Sequence, residues 1–472
     1  MTDFYDLEAF ERKTALISPG SSETTYGQLL ERTSAIEKRL QSRALVFILC
    51  QNSEDSVLGY LACLRKKAVP VLLDYQINAI LLRQLLDTYR PTYCYLPKHH
   101  PLLTESGKTV HIQGDYALQE SGLGGDCTLH DDLALLMTTS GSTGSPKLVR
   151  LTYLNINDNA RSIAQYLQTE DTDRTISTMP MAYAYGLSMI NSHLAAGASV
   201  VLTSASVVER PFWDILKSYR ANNFGGVPYT YQLLKRLRFG AMELPHLKYI
   251  TQAGGKMDPE LTREFAELCL QKNIQFYTMY GQTEATARIA YLHPDYAASK
   301  AGSIGQAIPG GSLWLEDESG KPIDQPESVG ELVYQGNNVS WGYAESVADL
   351  AKGDDNAGIL RTGDLAKRSA DGFYYIVGRK NRFAKVFGNR VNLDEVELIA
   401  KRMGYECACI GADDTLQLYT TREHSHEDLK RELSKMMGIH PSAFRMEFVD
   451  AIPRNGAGKI LYTLLSETVT RA

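Results

Sequence analysis

The sequence predicts an α/β fold: a large N-terminal domain of mixed, mainly parallel sheets flanked by helices plus a small β unit, then a small α+β C-terminal domain. Three observations carry this. Short apolar, β-leaning runs alternate with segments of helical periodicity over roughly the first three hundred residues, the rhythm of parallel strands with helical crossovers. Near residue 302 the texture changes to short alternating runs broken by turn residues, which suits hairpins. A chain of 472 residues also exceeds what one hydrophobic core usually serves, so two or three packed units are expected.

Taken in order, "KTALISPG" begins with a strand, and "TTYGQLLERTSAIEKRLQS" follows as a helix with Leu29, Leu30, Ile36 and Leu40 on one face. "ALVFILC", "AVPVLLD" and "TYCYLP" read as strands, separated by the helical "SVLGYLACLRKK" and "AILLRQLLDTYR". "LALLM" and "KLVRLT" are strand-like and bracket "TTSGSTGSPK" at 138–147. The next helix, "NINDNARSIAQYL", finds its cap in Thr152 or Asn155. "SVVLTS", "DILKSYRANN", "FGGVPYTYQLLKRL" and "LKYITQAGG" repeat the rhythm. A β-rich subregion spans about 302–380 within a domain of 1–380, and "GRKNR" at 378–382 marks the boundary. Residues 381–472 supply two helices ("NLDEVELIAKRM", "SHEDLKRELSKMM"), two strands ("ECACIGA", "LQLYTT") and a polar loop, "PRNGAGK".

Composition narrows the class. Apolar residues at 44% and charged residues at 22% are those of a globular protein, and a net charge of −6 argues against a nucleic-acid-binding surface. Seven cysteines without a CxxC pair suit free thiols in a reducing compartment. The acidic start "MTDFYDLEAFERK" lacks a signal pattern, and no apolar run approaches a membrane span. The expectation is a cytoplasmic enzyme with no membrane span and no nucleic-acid partner.

The Ser/Thr/Gly loop fails the nucleotide pattern GxxxxGK[ST], because Pro146 precedes Lys147 and Leu148 follows it. Its flanks are strands, whereas that motif opens a helix. Gly141 and Gly144 permit unusual backbone angles, Thr139, Ser140, Ser142 and Thr143 offer hydroxyls, and Lys147 adds a positive charge. The order S-G-S-T-G-x-P-K resembles the signature loop of the adenylate-forming superfamily, which includes acyl-CoA synthetases, adenylation domains and luciferases. Four further motifs follow in that family's order: "YGQTE" at 280–284, "RTGDLA" at 361–366, "GRKNRFAKVFGNRVNLDEVE" at 378–397 and "PRNGAGKI" at 453–460. Weaker echoes are "TTYGQLL", "GGVPYTYQLL" and "GELVYQGNNVSWGY". The resemblance covers essentially the whole chain.

What the resemblance implies is two-step chemistry: a carboxylate attacks the α-phosphate of ATP, pyrophosphate leaves, and the acyl-adenylate passes to a thiol. The thiol is coenzyme A or the phosphopantetheine of a separate carrier protein. By the same resemblance, residues 139–147 hold the β- and γ-phosphates. Tyr280 and Gly281 face the adenine, with Gly254 and Gly255 lining the base, while Thr283 meets the α-phosphate and Glu284 binds Mg²⁺. Asp364 accepts the ribose hydroxyls, Arg379 adds a ribose or phosphate contact, and Lys459 bridges the incoming carboxylate and the α-phosphate. Asn381 falls at the hinge about which the family's C-terminal domain rotates, where Asp or Lys is more common, and Gly388 falls in the thiol tunnel.

For the acid, "MPMAYAYGLSMINSHLAAGASVVL" corresponds to the pocket segment, with Tyr183 where His is common. Ala184 stands near the position at which α-amino-acid-activating domains carry an acidic anchor, which disfavours an α-amino acid. Tyr183, Tyr185 and Tyr229 offer a partly polar aromatic wall, and His193 reads as a satisfied core residue. Leu148 departs from the family's usual Gly and stiffens the loop exit. An adenylate-forming amide ligase or oxidase, or a non-catalytic nucleotide-binding subunit, stands as the alternative.

Overall fold

The computed structural model describes residues 3–21, 23–104, 107–124, 127–138, 147–380, 382–387, 389–412, 414–421, 426–454, 460–462 and 464–465. Two compact units divide the chain. The larger takes the described residues of Met1–Thr139, Ser145–Leu313 and Tyr334–Leu360; the smaller takes those of Trp314–Val333 and Arg361–Ala472.

Among the described residues the larger unit holds a nine-stranded and an eight-stranded sheet. In the first, Asn223–Gly226, Tyr249–Gln252 and Gln275–Tyr280 run parallel as neighbours, and Ala290–Leu292 turns back antiparallel with Ala290 opposite Tyr280. In the second, Leu45–Cys50 runs parallel between Val69–Asp74 and Tyr93–Pro97. Every residue of Leu45–Cys50 is buried, which explains an uninterrupted apolar run: a parallel strand covered on both faces has no polar side to show. The α/β architecture with mainly parallel interior strands is as the alternation predicts.

The two strands around the Ser/Thr/Gly loop pair antiparallel, Leu133–Thr138 with Leu148–Thr152, the last pair being Thr138 opposite Leu148. Leu148 is fully buried and packs with Leu73, Leu136 and Ala344 in one core cluster. A glycine would leave a cavity there, so the departure from the family's residue is a packing requirement. Thr152 and Asn155 both cap the following helix, Tyr153–Tyr166, in a reciprocal capping box. Buried Arg150 ties this strand to the segment after it: its guanidinium donates to the carbonyls of Lys352 (2.7 Å), Gly353 (3.0 Å) and Trp341 and to the Asp355 carboxylate.

His193 is a satisfied core residue, as its apolar surroundings predict. Nδ1 lies 2.8 Å from the Met189 carbonyl and Nε2 3.2 Å from Asn223 Nδ2. Burial lowers its pKa to about 4. The unfolded chain therefore binds the proton at a higher pH than the native one. Native stability should be full above pH 6.5 and fall as pH drops toward 4, by about 3 kcal/mol in total. Denaturant unfolding at pH 7 and pH 4.5 checks this, and His193→Gln should flatten that part of the profile.

The smaller unit has most of a four-stranded sheet (Ser312–Glu316, Val329–Gln335, Ile359–Arg368, Tyr374–Arg379, in that order) and a three-stranded sheet of Cys407–Ala412, Thr415–Thr420 and Phe444–Phe448. Helices Leu393–Arg402 and His426–Met437 pack against the latter through Val396, Ile399, Leu429 and Leu433. Of the cysteines, Cys50, Cys63, Cys94, Cys269, Cys407 and Cys409 are buried free thiols and Cys127 is half-buried. Burial pushes Cys94, Cys269 and Cys407 up to about 12. No helix among the described residues is long and apolar enough to cross a membrane.

Candidate active site

Strand Gln275–Tyr280 of the larger unit ends in a tight turn that the sequence dictates locally. A Cβ at Gly281 would lie 1.9 Å from the Ala287 carbonyl oxygen, so only glycine fits. Thr283–Ala285 forms one 3-10 turn, and Thr286 then adopts φ 65°, an uncommon conformation for a β-branched residue. Its hydroxyl donates to the Asn338 carbonyl at 2.7 Å. The buried Asn338 amide in turn donates to the carbonyls of Ala285 (2.9 Å) and Arg288 (2.8 Å) and accepts from the Tyr334 hydroxyl (2.7 Å). The turn carrying Thr283 and Glu284 is thus fixed by hydrogen bonds on both sides.

The Glu284 carboxylate accepts from the Tyr343 hydroxyl at 2.6 Å, and its main-chain carbonyl accepts from the Ser340 N–H at 2.8 Å. Tyr343 lies opposite Val149 on the short strand beside Leu148–Thr152. Lys147, at the exit of the Ser/Thr/Gly loop, puts Nζ 5.8 Å from the Tyr343 ring centroid and 2.6 Å from Glu345 Oε1. Burial, with the Glu284 charge adding to it, raises the Tyr343 phenol well above its ordinary pKa and keeps it a donor. Lys147, Tyr343 and Glu284 are thus linked in one line of successive contacts.

Gly254 has φ +81°, and a Cβ there would come within 3.0 Å of the Tyr183 hydroxyl. At Gly255 the neighbour is Pro228, 3.2 Å from such a Cβ. Tyr183 precedes helix Ala184–Ala195, in which Ala184 and Tyr185 are buried. The Tyr185 hydroxyl lies 2.9 Å from the Thr251 carbonyl, to which it donates. Tyr229 is exposed near the start of helix Pro228–Arg236.

In the smaller unit Asp364 and Arg379 face each other across neighbouring strands, with Arg379 Nε 3.2 Å from Asp364 Oδ1. Asp364 is nearly buried and its N–H donates to Thr362 Oγ1 at 3.1 Å. A second cluster lies further along. Arg382 donates to Asp394 (2.9 Å), Glu397 (2.6 Å) and the Cys409 carbonyl (2.8 Å). The Tyr462 hydroxyl donates to the other Glu397 oxygen at 3.0 Å, and its ring lies 4.1 Å from the Arg382 guanidinium carbon. Thr139, Ser140, Gly141, Ser142, Thr143, Gly144, Asn381, Gly388 and Lys459 lie outside the described residues.

Sequence reasoning missed Tyr343, Glu345, Asn338 and the Arg382–Glu397–Tyr462 cluster. Three of these fall in or just after "GELVYQGNNVSWGY", whose weak likeness to the family was the available signal. Among the described residues no group of three or more His, Cys, Asp or Glu is placed to hold a metal ion. A lone carboxylate such as Glu284, held at one oxygen by Tyr343, fits a Mg²⁺ ion that brings its own phosphate oxygens and waters.

Residues 5–344 match the family described as AMP-binding enzyme. The chain is 27% identical over 360 residues to an oxalate–CoA ligase of Arabidopsis thaliana, covering 71% of this chain and 68% of the relative. It is 26% identical over 469 residues to a feruloyl-CoA synthase of an Amycolatopsis species, covering 94% and 93%. Its fold matches that of the O-succinylbenzoate coenzyme A synthetase from Bacillus subtilis in complex with AMP, with a TM-score of 0.80, 21% identity and coverage of 98% and 97%. The chain belongs to the AMP-binding enzyme family, the membership that its ordered motifs imply.

Proposed function

We propose that this enzyme activates a carboxylic acid with ATP and passes the acyl group to coenzyme A. A carboxylate oxygen attacks the α-phosphorus, the bond to pyrophosphate breaks, and the mixed anhydride is then opened by the thiol with release of AMP. The observation that carries this reading is the Lys147–Tyr343–Glu284 line at the exit of the Ser/Thr/Gly loop. The activities that name the relatives, ligation of oxalate and ferulate to CoA, support the same class.

Two anions must meet, so the work is positional and electrostatic. Loop 139–147 would grip the β- and γ-phosphates, with Thr139, Ser140, Ser142 and Thr143 as donors. Lys147 sits in an exposed ion pair with Glu345, and exchanging that partner for phosphate costs little. Thr283 would contact the α-phosphate. Glu284 would hold Mg²⁺, which when bound neutralises phosphate charge. Tyr280 and Gly281 would face adenine, which Gly254 and Gly255 leave room for, and Asp364 with Arg379 would take the ribose. Lys459 would bridge carboxylate and α-phosphate. Tyr183, Ala184, Tyr185 and Tyr229 would border the acid. Residues 381–472 would turn as a domain about Asn381, bringing Gly388 to the thiol path.

The test is ATP–pyrophosphate exchange across a broad acid panel, then competition between coenzyme A and a phosphopantetheinylated carrier protein as acceptor. Acid-dependent exchange with transfer to coenzyme A is expected. Consumption of an amine without thiol, light emission, or no exchange with any acid would point instead to the amide-ligase, oxidase or non-catalytic reading. Tyr343 acts here as a positioning residue. Tyr343→Phe should lower kcat/KM for ATP by about 10- to 100-fold at limiting Mg²⁺, since one hydrogen bond to a charged group is lost. Raised Mg²⁺ should recover part of the loss, whereas a folding defect would not respond to the ion.

A further inference from the structure

Arg288 is 3% exposed, four residues after Glu284 and just past its turn. Its guanidinium has five N–H donors and a full charge. Around it are Met279 Sδ at 3.4 Å from Nε, the Ala287 carbonyl at 3.3 Å from Nη1, the Tyr185 ring centroid 4.2 Å from Cζ, and the Tyr166 hydroxyl. None of these is a carboxylate, and among the described residues no ion pair reaches it. Among the described residues the other buried arginine, Arg150, has Asp355 and three carbonyls, and half-buried Arg382 has Asp394, Glu397 and a carbonyl. The face of Tyr185 attracts a cation but does not neutralise it. An enclosed guanidinium without counter-charge is costly, and its usual remedy is an anion.

The surroundings point the same way. Arg288 lines a narrow cleft with Tyr185, Met189, His193, Asn223 and Thr251, next to the Tyr183–Tyr185 stretch. Most of the other polar groups there are already occupied, the Tyr249 hydroxyl being the exception. Thr251 Oγ1 pairs with the Tyr185 hydroxyl at 2.8 Å, and His193 lies between the Met189 carbonyl and Asn223. Burial keeps His193 neutral, so Arg288 is the fixed charge of the cleft. Its backbone is held by Asn338, whose amide also holds Ala285, the residue after Glu284. An anion on Arg288 would thus be fixed relative to the reacting end by one rigid turn.

We propose that Arg288 receives a second carboxylate on the acid, so that the substrate is a dicarboxylic acid. The proposal rests on the acid-activation reading above. A planar guanidinium suits a carboxylate in two-point contact, and water exclusion sharpens the discrimination against acids that lack the group.

The experiment is pyrophosphate exchange by the full chain with matched pairs, each a dicarboxylic acid and the monocarboxylic acid of the same length and ring content. The wild type should favour the diacid in kcat/KM by at least about 10²-fold, as a site built for a polar group does. Arg288→Met, which removes the charge but keeps bulk, should cut that preference to about threefold or less while leaving the monoacid rate within a few-fold. Arg288→Lys should fall between, having charge without the fork. Equal use of monoacids by the wild type, or a diacid preference that survives in Arg288→Met, overturns the proposal and leaves acid activation standing. No exchange with any acid overturns acid activation itself and this proposal with it. The wild-type pairs decide the question even if Arg288→Met does not fold.

Discussion

Lys459→Ala is expected to abolish acid-dependent ATP–pyrophosphate exchange, a fall of at least about 10²–10³-fold, the scale seen when one preorganised electrostatic contact to a transition state is removed. The carboxylate and the α-phosphate repel each other until a cation sits between them, and the nearest substitute, water, screens but does not orient. The described residues on either side of "NGAGK" are tied to one another. Arg454 and Ile460 form an antiparallel bridge, the Leu461 N–H donates to the Pro453 carbonyl at 2.9 Å, and Tyr462 is fastened to Glu397. Transfer from pre-formed acyl-adenylate to coenzyme A should survive in the same variant, because that step needs no bridge between two anions. Exchange at the wild-type rate would remove Lys459 from the mechanism.

Glu397→Ala should have the largest effect on stability. It leaves the Arg382 guanidinium half-paired inside the smaller unit, and breaking a buried pair by removing one partner costs about 3–5 kcal/mol. It also frees Tyr462 and the Cys409 N–H, both of which donate to that carboxylate. Thermal unfolding and hydrogen exchange over 393–420 would report the loss. The double variant Arg382→Met/Glu397→Leu should recover most of it, since a buried ion pair replaced whole by apolar groups is near neutral. Wild-type melting of Glu397→Ala would mean that Asp394 alone suffices for Arg382.

Features governed by local sequence were legible in advance. The strands on either side of the Ser/Thr/Gly loop, the cap at Thr152 and Asn155 and the burial of His193 all follow from patterns a few residues long. The family emerged from five motifs in order. What stayed hidden depends on partners far apart in the chain. Glu284 and Tyr343 are 59 residues apart and Glu397 and Tyr462 are 65 apart, and neither pairing leaves a periodic trace. Leu148 read as a stiffener of the loop exit, but its side chain turned out to answer to a core built by other strands. Arg288 gave no signal at all, because a single arginine past a motif is ordinary until its burial and lack of a carboxylate partner are seen together.

The seclusion of the cysteines has a practical consequence. With six of seven thiols buried and several held protonated, the folded enzyme presents little thiolate to a chromogenic disulfide. Disappearance of free coenzyme A thiol can then be followed by colour against a nearly silent protein. A sudden rise of that background would itself signal the native state opening, so one reagent serves as both acceptor assay and unfolding alarm.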